Sequence, residues 1–334
     1  MQDVAKLARV ATMTVSRVIN GNEHVSEETR QRVLNAIKTL NYRPNTLARS
    51  LREERSRQIG VIIPNLQDPF FAVCAQAAGM VATKHAYSIN IAMSGEDPEV
   101  EYNEAILMLQ RHVEGLIVIP SAGSMTRLTE PEFFGLPIVT LDRPVEGTPF
   151  DSVVVNNSEG AALAVEHLIQ HGHRRIAFVG LSLDLYTMRK RHEGYCRAMD
   201  QAQLDTEVHC KPFTQPEIIE MLKALMTGPE PVTAIFSGNN LTSRNVLHGL
   251  ATLGVKVPSQ IAVVGFDDFE TADLLNPAFT VISQPVVEMG RSGAELLFSK
   301  LAHKHRSSVG EHLVLPVELI VRNSCGRHND APAL

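Results

Sequence analysis

From Gln58 onward, short runs of β-branched and aliphatic residues recur between amphipathic stretches: Ile59 to Ile63, Ser88 to Ala92, Leu116 to Ile119, Ile138 to Leu141, Val153 to Val155, Ile176 to Val179, Ala234 to Phe236 and Ile261 to Val264. Each run is nearly continuous rather than alternating, so both of its faces are buried, which requires helices above and below a parallel sheet. The repeat therefore predicts an α/β body built of βαβ units. Parallel sheets bind ligands beyond the carboxyl ends of their strands, so the chain just after each run is where a site is expected. There stand Asp68-Pro69-Phe70-Phe71, Asp142-Arg143, Asn156-Asn157, Asn239-Asn240 and Asp267-Asp268, with Arg191 opening a helix beyond the loop that follows Val179. Two aromatic rings among carboxylates, amides and guanidinium groups suit a polyhydroxylated ring, stacked on its faces and bonded at its hydroxyls. Each of these residues is also a candidate helix cap or ion-pair partner, Asn157 and Asp268 above all.

A chain of 334 residues exceeds one compact core, and at roughly 150 residues per domain it predicts two or three units. Its charge is unevenly spread. Residues 1–57 hold 11 Lys+Arg against 6 Asp+Glu and the rest 20 against 31, a head of +5 on a body of −11 for the chain's total of −6. Such a split gathers attraction for a polyanion at one end. No apolar run approaches the roughly 18 residues of a membrane span. The opening Met1-Gln2-Asp3-Val4-Ala5-Lys6 lacks the basic-then-apolar layout of a secretory signal, so a cytoplasmic location is expected. Cys74, Cys196, Cys210 and Cys325 are scattered with no C-x-x-C pair, which predicts reduced thiols and no metal site.

Within the head, Val4, Leu7 and Ala8 make one short helical face, and Val15, Val18 and Ile19 a second after a break near Arg9-Val10-Ala11. Ser26 caps a third helix, with Glu27 and Glu28 at its positive end, Val33, Ala36, Ile37 and Leu40 on its buried face, and Pro44 ending it. The second helix presents Thr12, Met13, Thr14, Ser16, Arg17 and Asn20. Hydroxyls and amides bond phosphates or base edges, the Arg17 fork matches guanine, and the methyls of Met13 and Thr12 fit against thymine methyls. A small bundle with a polar outside is the bland alternative; charge and turn spacing together favour double-stranded DNA.

Asp3-Val4-Ala5-Lys6-Leu7-Ala8, Thr14-Val15-Ser16-Arg17-Val18-Ile19-Asn20 and Asn41-Tyr42-Arg43-Pro44-Asn45 resemble the signature of the lactose-repressor (LacI/GalR) family, and the resemblance extends over nearly the whole chain. It implies a periplasmic-binding-protein-like body. It also implies that Thr12 and Met13, the first two recognition-helix positions, discriminate operators. A hinge helix that folds on DNA, pairs with its mate and wedges a leucine into the minor groove maps onto Asn45, Ala48 and Leu51. Asp68, Phe70 and Phe71 resemble the family's ribose-binding-type loop, and Arg191, Asn239, Asp267 and Gln284 stand where relatives contact effectors. Three departures bear on this. Arg9 replaces the usual turn glycine, Ala11 replaces a serine N-cap, and Asn239-Asn240 replaces an Asn-Asp pair, which together with Arg143 and Arg191 leaves room for an anionic effector.

The expected organisation is a helix-turn-helix head (1–44), a hinge (45–57) and a bilobed body (58–334) with two parallel sheets: one lobe of about 58–155 and 285–315, the other of about 156–284 and 316–334. The expected function is a sequence-specific transcriptional regulator, a repressor in kind, that binds a palindromic operator as a homodimer under control of a sugar or sugar acid. A periplasmic-type sugar-binding transport protein is the alternative. The chain holds no G-x-G-x-x-G, no G-x-x-x-x-G-K-[ST] and no G-x-S-x-G, so no cofactor and no enzymatic activity are expected. His171-Gly172-His173-Arg174-Arg175 offers groups for a metal or a phosphate, but reads more readily as a helix end, with Gly172 as cap and basic groups on the last carbonyls.

Overall fold

The computed structural model describes residues 1–19, 24–42, 56–122, 127–145, 147–302 and 310–326. The chain divides into two compact units, Met1–Ser56 and Arg57–Leu334. In the first, α1 (Gln2–Ala8), α2 (Thr12–Ile19) and α3 (Glu27–Thr39) close on Val4, Ala5, Ala8, Val15, Val18, Val33 and Ala36. The Ser26 hydroxyl accepts from the Thr29 N–H at 3.4 Å, so α3 starts where its cap lies. It ends at Thr39, with Asn41 at φ 44 turning the chain; Pro44 lies outside the described residues. Leu7 and Leu40, expected in the core, are 50% and 43% exposed. The buried face of α1 is instead Val4, Ala5 and Ala8, because two alanines bring its backbone close to its neighbours. Arg9 adopts φ 54, ψ 49, a left-handed conformation that costs a non-glycine residue about 1–2 kcal/mol, so the turn into α2 is strained.

The second unit holds two six-stranded sheets. The first is built from β1 (Gln58–Ile63), β2 (Ser88–Met93), β3 (Leu116–Val118), β4 (Ile138–Leu141), β5 (Asp151–Val155) and β11 (His312–Leu315), ordered β11-β5-β4-β3-β1-β2 and parallel throughout. The second comprises β6 (Ile176–Gly180), β7 (Glu207–Cys210), β8 (Ala234–Ser237), β9 (Ala262–Phe266), β10 (Thr280–Ser283) and β12 (Glu318–Ile320), ordered β12-β10-β9-β8-β6-β7, with only β12 antiparallel. Helices cover both faces of each. In β1, Val61 and Ile63 enter the core shared with α4 (Pro69–Lys84) and α10 (Val286–Ala302), while Ile62 enters the opposite core beside α5 (Pro98–Gln110). Burial on both sides is the physical reason the runs read as continuous rather than alternating.

Chain connectivity defines two lobes, because the chain passes between the sheets after β5, after β10 and between β11 and β12. The second lobe carries α6 (Asn157–Gln170), α7 (Tyr186–Gln201), α8 (Gln215–Thr227) and α9 (Asn240–Thr252). Its α6 and α7 meet backbone to backbone at Gly194, where a Cβ would stand 2.0 Å from the Ser158 carbonyl oxygen. In the first lobe α4 and α10 meet similarly at Gly290, whose Cβ would lie 2.3 Å from the Cys74 carbonyl oxygen. Neither obstacle is a side chain that can swing aside. Gly194→Ala should therefore cost about 1–3 kcal/mol of stability, read as a lower urea midpoint at unchanged slope; an unaltered midpoint would show that the helices can separate without penalty.

Candidate functional site

Asp68, Phe70, Phe71, Asp142, Arg143, Arg191, Asn239, Asp267 and Gln284 all line one cavity of about 130 Å³ between the carboxyl ends of the two sheets, whereas Asn156, Asn157, Asn240 and Asp268 do not line it. From the first lobe, Asp68 caps α4, its Oδ1 accepting from the Phe70 N–H at 3.0 Å, and Phe70 and Phe71 follow with their rings edge to face at 5.4 Å. The loop ahead of them is shaped by Asn65, whose Oδ1 accepts from the N–H groups of Gln67 and Asp68. From the second lobe come Arg191, Asn239 and Asp267, with Gln284 just beyond β10. Across the cleft itself the lobes are joined side chain to side chain: Asn240 Nδ2 donates to Asp68 Oδ1 at 2.7 Å.

Arg191 is 2% exposed and lies in the second turn of α7 rather than opening it, because the helix starts five residues earlier at Tyr186. Its Nε donates to Asn157 Oδ1 at 2.8 Å, its Nη1 to the Gly238 carbonyl at 2.7 Å, and Nη1 stands 3.6 Å from Asp267 Oδ2. The plane also lies over the Phe266 ring, 3.7 Å from its centroid. Arg143 is less fully committed: Nη1 and Nη2 fork onto Glu96 at 2.7 and 2.8 Å and Nη1 also donates to the Pro120 carbonyl, while Nε, 3.4 Å from Asp142 Oδ2, is buried and makes no hydrogen bond among the described residues. Four carboxylates, Asp68, Glu96, Asp142 and Asp267, thus face two guanidinium groups.

Burial raises the pKa of Asp68, opposed by the Asn240 and Phe70 hydrogen bonds, and burial raises that of Asp142 against the pull of Arg143 and Arg191. Burial lowers the pKa of Arg191, with Asp267 and Asp142 opposing. Because a carboxylate only accepts, Asn240 must turn its NH₂ to Asp68 and Gln284 its NH₂ to Asp267. Their remaining oxygens, Asn240 Oδ1 and Gln284 Oε1, are buried with no hydrogen-bond donor. An acidic surplus and two orphaned acceptors match the chemistry of groups that donate hydrogen bonds, such as hydroxyls.

Several participants escaped the sequence reading. Asn65 and Glu96 stand just beyond β1 and β2 and obey the same rule as the residues that were found. Leu181, Leu185, Met188 and Leu241 add an apolar wall that no local signal marks. Asn157 orients Arg191 rather than serving as a plain cap, and Asp268 grips Arg322 with both oxygens, at 2.9 and 2.8 Å.

In the head, α2 turns Val15 and Val18 inward and leaves Thr12, Met13 and Arg17 exposed, Met13 by 65%, with Thr14 and Ser16 half-buried beside them. Thr12, Met13, Ser16 and Arg17 make an outward stripe at i, i+1, i+4 and i+5. Ala11, just ahead of the helix, has no side-chain oxygen to cap it. Asn20, Asn45, Ala48 and Leu51 lie outside the described residues. Among the described residues no helix is long and apolar enough to cross a membrane.

Residues 1–45 match the bacterial regulatory proteins of the lacI family, and residues 165–325 match the periplasmic binding protein-like domain. The chain is 30% identical to the HTH-type transcriptional repressor PurR of Mannheimia succiniciproducens, over 97% of this chain and 98% of that one. It is 31% identical to the ribose operon repressor of Halalkalibacterium halodurans, over 97% and 96%. Among solved structures, the lac repressor dimer bound to operator and the anti-inducer ONPF superposes with a TM-score of 0.84 at 26% identity, covering 97% of this chain and 98% of that one. The complex of the transcriptional regulator CelR with cellobiose gives 0.71 at 29% identity, over 97% and 98%.

The bond between Asn240 and Asp68 makes the lobe closure testable. Asn240→Asp would set two carboxylates against each other, where the shared site raises one pKa. Where both carboxylates are ionised the repulsion is present and the ligand-free protein should scatter X-rays with a larger radius of gyration than wild type; as pH falls and one of them takes up a proton the difference should shrink. Identical scattering across the whole pH range would mean that this contact does not hold the lobes.

Proposed function

This chain belongs to the LacI family of bacterial regulatory proteins, and from that premise we propose that it represses transcription by binding a palindromic operator as a homodimer, released or recruited by a neutral polyhydroxylated effector in the cleft between its lobes. The observation that carries the effector reading is the pair of buried acceptors, Asn240 Oδ1 and Gln284 Oε1, beside an excess of carboxylates. A sugar acid would bring a further negative charge to Asp68, Asp142 and Asp267, with both arginines already neutralised; a neutral sugar brings hydroxyl donors. That CelR is solved with cellobiose and that one relative is a ribose operon repressor are consistent with this class.

For the head, the exposed stripe of Thr12, Met13 and Arg17, with Ser16 beside it, supports insertion of α2 into the major groove, and the lac repressor dimer on its operator supports a two-fold arrangement with symmetric half-sites. Asn45, Ala48 and Leu51 are proposed to continue that contact into the minor groove. The protein works in the cytoplasm, where its DNA lies, and binds its effector without turning it over. The rival transport role has no use for a lacI-type head at residues 1–45.

Arg17→Ala separates the two halves. Operator affinity should fall by about 1–3 kcal/mol, measured by fluorescence anisotropy at fixed salt, while the thermal shift given by neutral sugars stays at its wild-type size and sugar acids give none. Equal operator affinity would remove α2 from the groove, and a shift given only by sugar acids would remove the neutral effector.

A further inference from the structure

We propose that His167, His171 and Cys325 form a binding site for a thiophilic divalent cation of the zinc class on the second lobe, outside the effector cleft. Helix α6 and its C-cap set the two histidines four residues apart, on one face of the helix. The chain beyond β12 returns to this helix end and buries Cys325 there, with Sγ 3.1 Å from His167 Nε2. One donor atom from each residue lies within 4.8 Å of those of the other two. Around a zinc ion with bonds of about 2.0–2.3 Å, ligand atoms stand roughly 3.3–3.8 Å apart. His167 and Cys325, at 3.1 Å, already stand slightly closer than that, and the half-buried His171 ring needs to move in by at most about 1.5 Å to complete three ligands, leaving the fourth position to water.

Second contacts hold each ligand as outer-shell partners do in metal sites. His171 Nδ1 bonds the His167 carbonyl oxygen at 2.8 Å, which fixes that ring and leaves coordination to its other nitrogen. Thr280 Oγ1 lies 3.3 Å from the thiol sulfur, and His173 hydrogen-bonds the Cys325 backbone. Burial holds the Cys325 thiol above its ordinary pKa, so a bound cation must displace its proton. A thiol in need of a hydrogen-bond partner would be served by one imidazole; this helix end converges two. Gly172, at φ 89, Arg174, whose Nη1 donates to the Ile169 carbonyl at 3.0 Å, and His171 Nδ1 on the His167 carbonyl oxygen end the helix as expected, and that same capping geometry carries the His171 ring toward His167 and Cys325. An ion here would fasten the segment after β12 to α6. Sequence spacing hides the site because 154 residues separate His171 from Cys325.

The full-length protein, stripped with a chelator, is titrated with Zn²⁺ by calorimetry and with Co²⁺ by absorption. One Zn²⁺ should bind per chain at this site, the Co²⁺ form should show a thiolate-to-metal charge-transfer band, and Cys325→Ser and His171→Asn should each weaken binding by at least the about 10- to 100-fold that loss of even an outer-shell partner costs. His171 is half-buried at a helix end, so its variant keeps the test valid if Cys325→Ser fails to fold. Cys196, whose Sγ lies 3.2 Å from His192 Nε2, is the competing thiol, and Cys196→Ser should change nothing. Binding that survives both site variants, that follows Cys196, or that lacks the charge-transfer band overturns the assignment.

Discussion

A guanidinium group buried to 2% exposure cannot be left without partners, and the second lobe is arranged around meeting that demand at Arg191. Asn157 at the start of α6, the Gly238 carbonyl after β8 and Asp267 after β9 each supply an acceptor, so three loops are held at one point. Asp267 in turn takes the Gln284 amide and the Asn240 N–H, which draws in the chain after β10 and the start of α9. Removing Asp267 would leave that buried charge without its ion-pair partner, and removing Asn157 would leave a buried donor unsatisfied. The cleft keeps its shape because the electrostatics allow few alternatives.

From this array one link reaches the other lobe. Asn240, positioned through its N–H to Asp267, turns its side chain onto Asp68 at the start of α4. A carboxylate at position 240, as the family pattern has it, would meet Asp68 with like charge; the amide here bonds it instead. That choice leaves Asn240 Oδ1 as an orphan acceptor, and a ligand able to donate there would act on the same amide whose Nδ2 joins the lobes. A ligand can shift a conformational equilibrium only by its differential affinity for the two arrangements, typically about 1–3 kcal/mol across distant sites. The contact offers a physical origin for such a difference.

How much was legible depended on whether the cause was local. Strands buried on both faces, such as Gln58–Ile63 and Ile176–Gly180, stood out because burial selects continuous aliphatic runs. Glu207–Cys210 and Glu318–Ile320 did not: they are short edge strands, half-buried and partly polar, whose pairing is a property of the assembled sheet. The residues that gather in the cleft followed from the rule that loops after parallel strands converge, and the same rule reaches Asn65 and Glu96. That Arg143 is already spoken for by Glu96, 47 residues earlier, was invisible because no spacing encodes it. In the head, a period of 3.6 placed Val15 and Val18 inside, whereas the close approach allowed by Ala5 and Ala8 moved Leu7 outward.

Linkage between the cleft and the head is the central claim, and reciprocity measures it. With an operator fragment selected from genomic DNA and the neutral sugar that gives the largest thermal shift, the operator dissociation constant is determined with and without sugar, and the sugar's with and without operator, all at one salt concentration. The two ratios should be equal and lie between about 5- and 150-fold. Operator affinity that does not change at saturating sugar would contradict control of the head by the cleft.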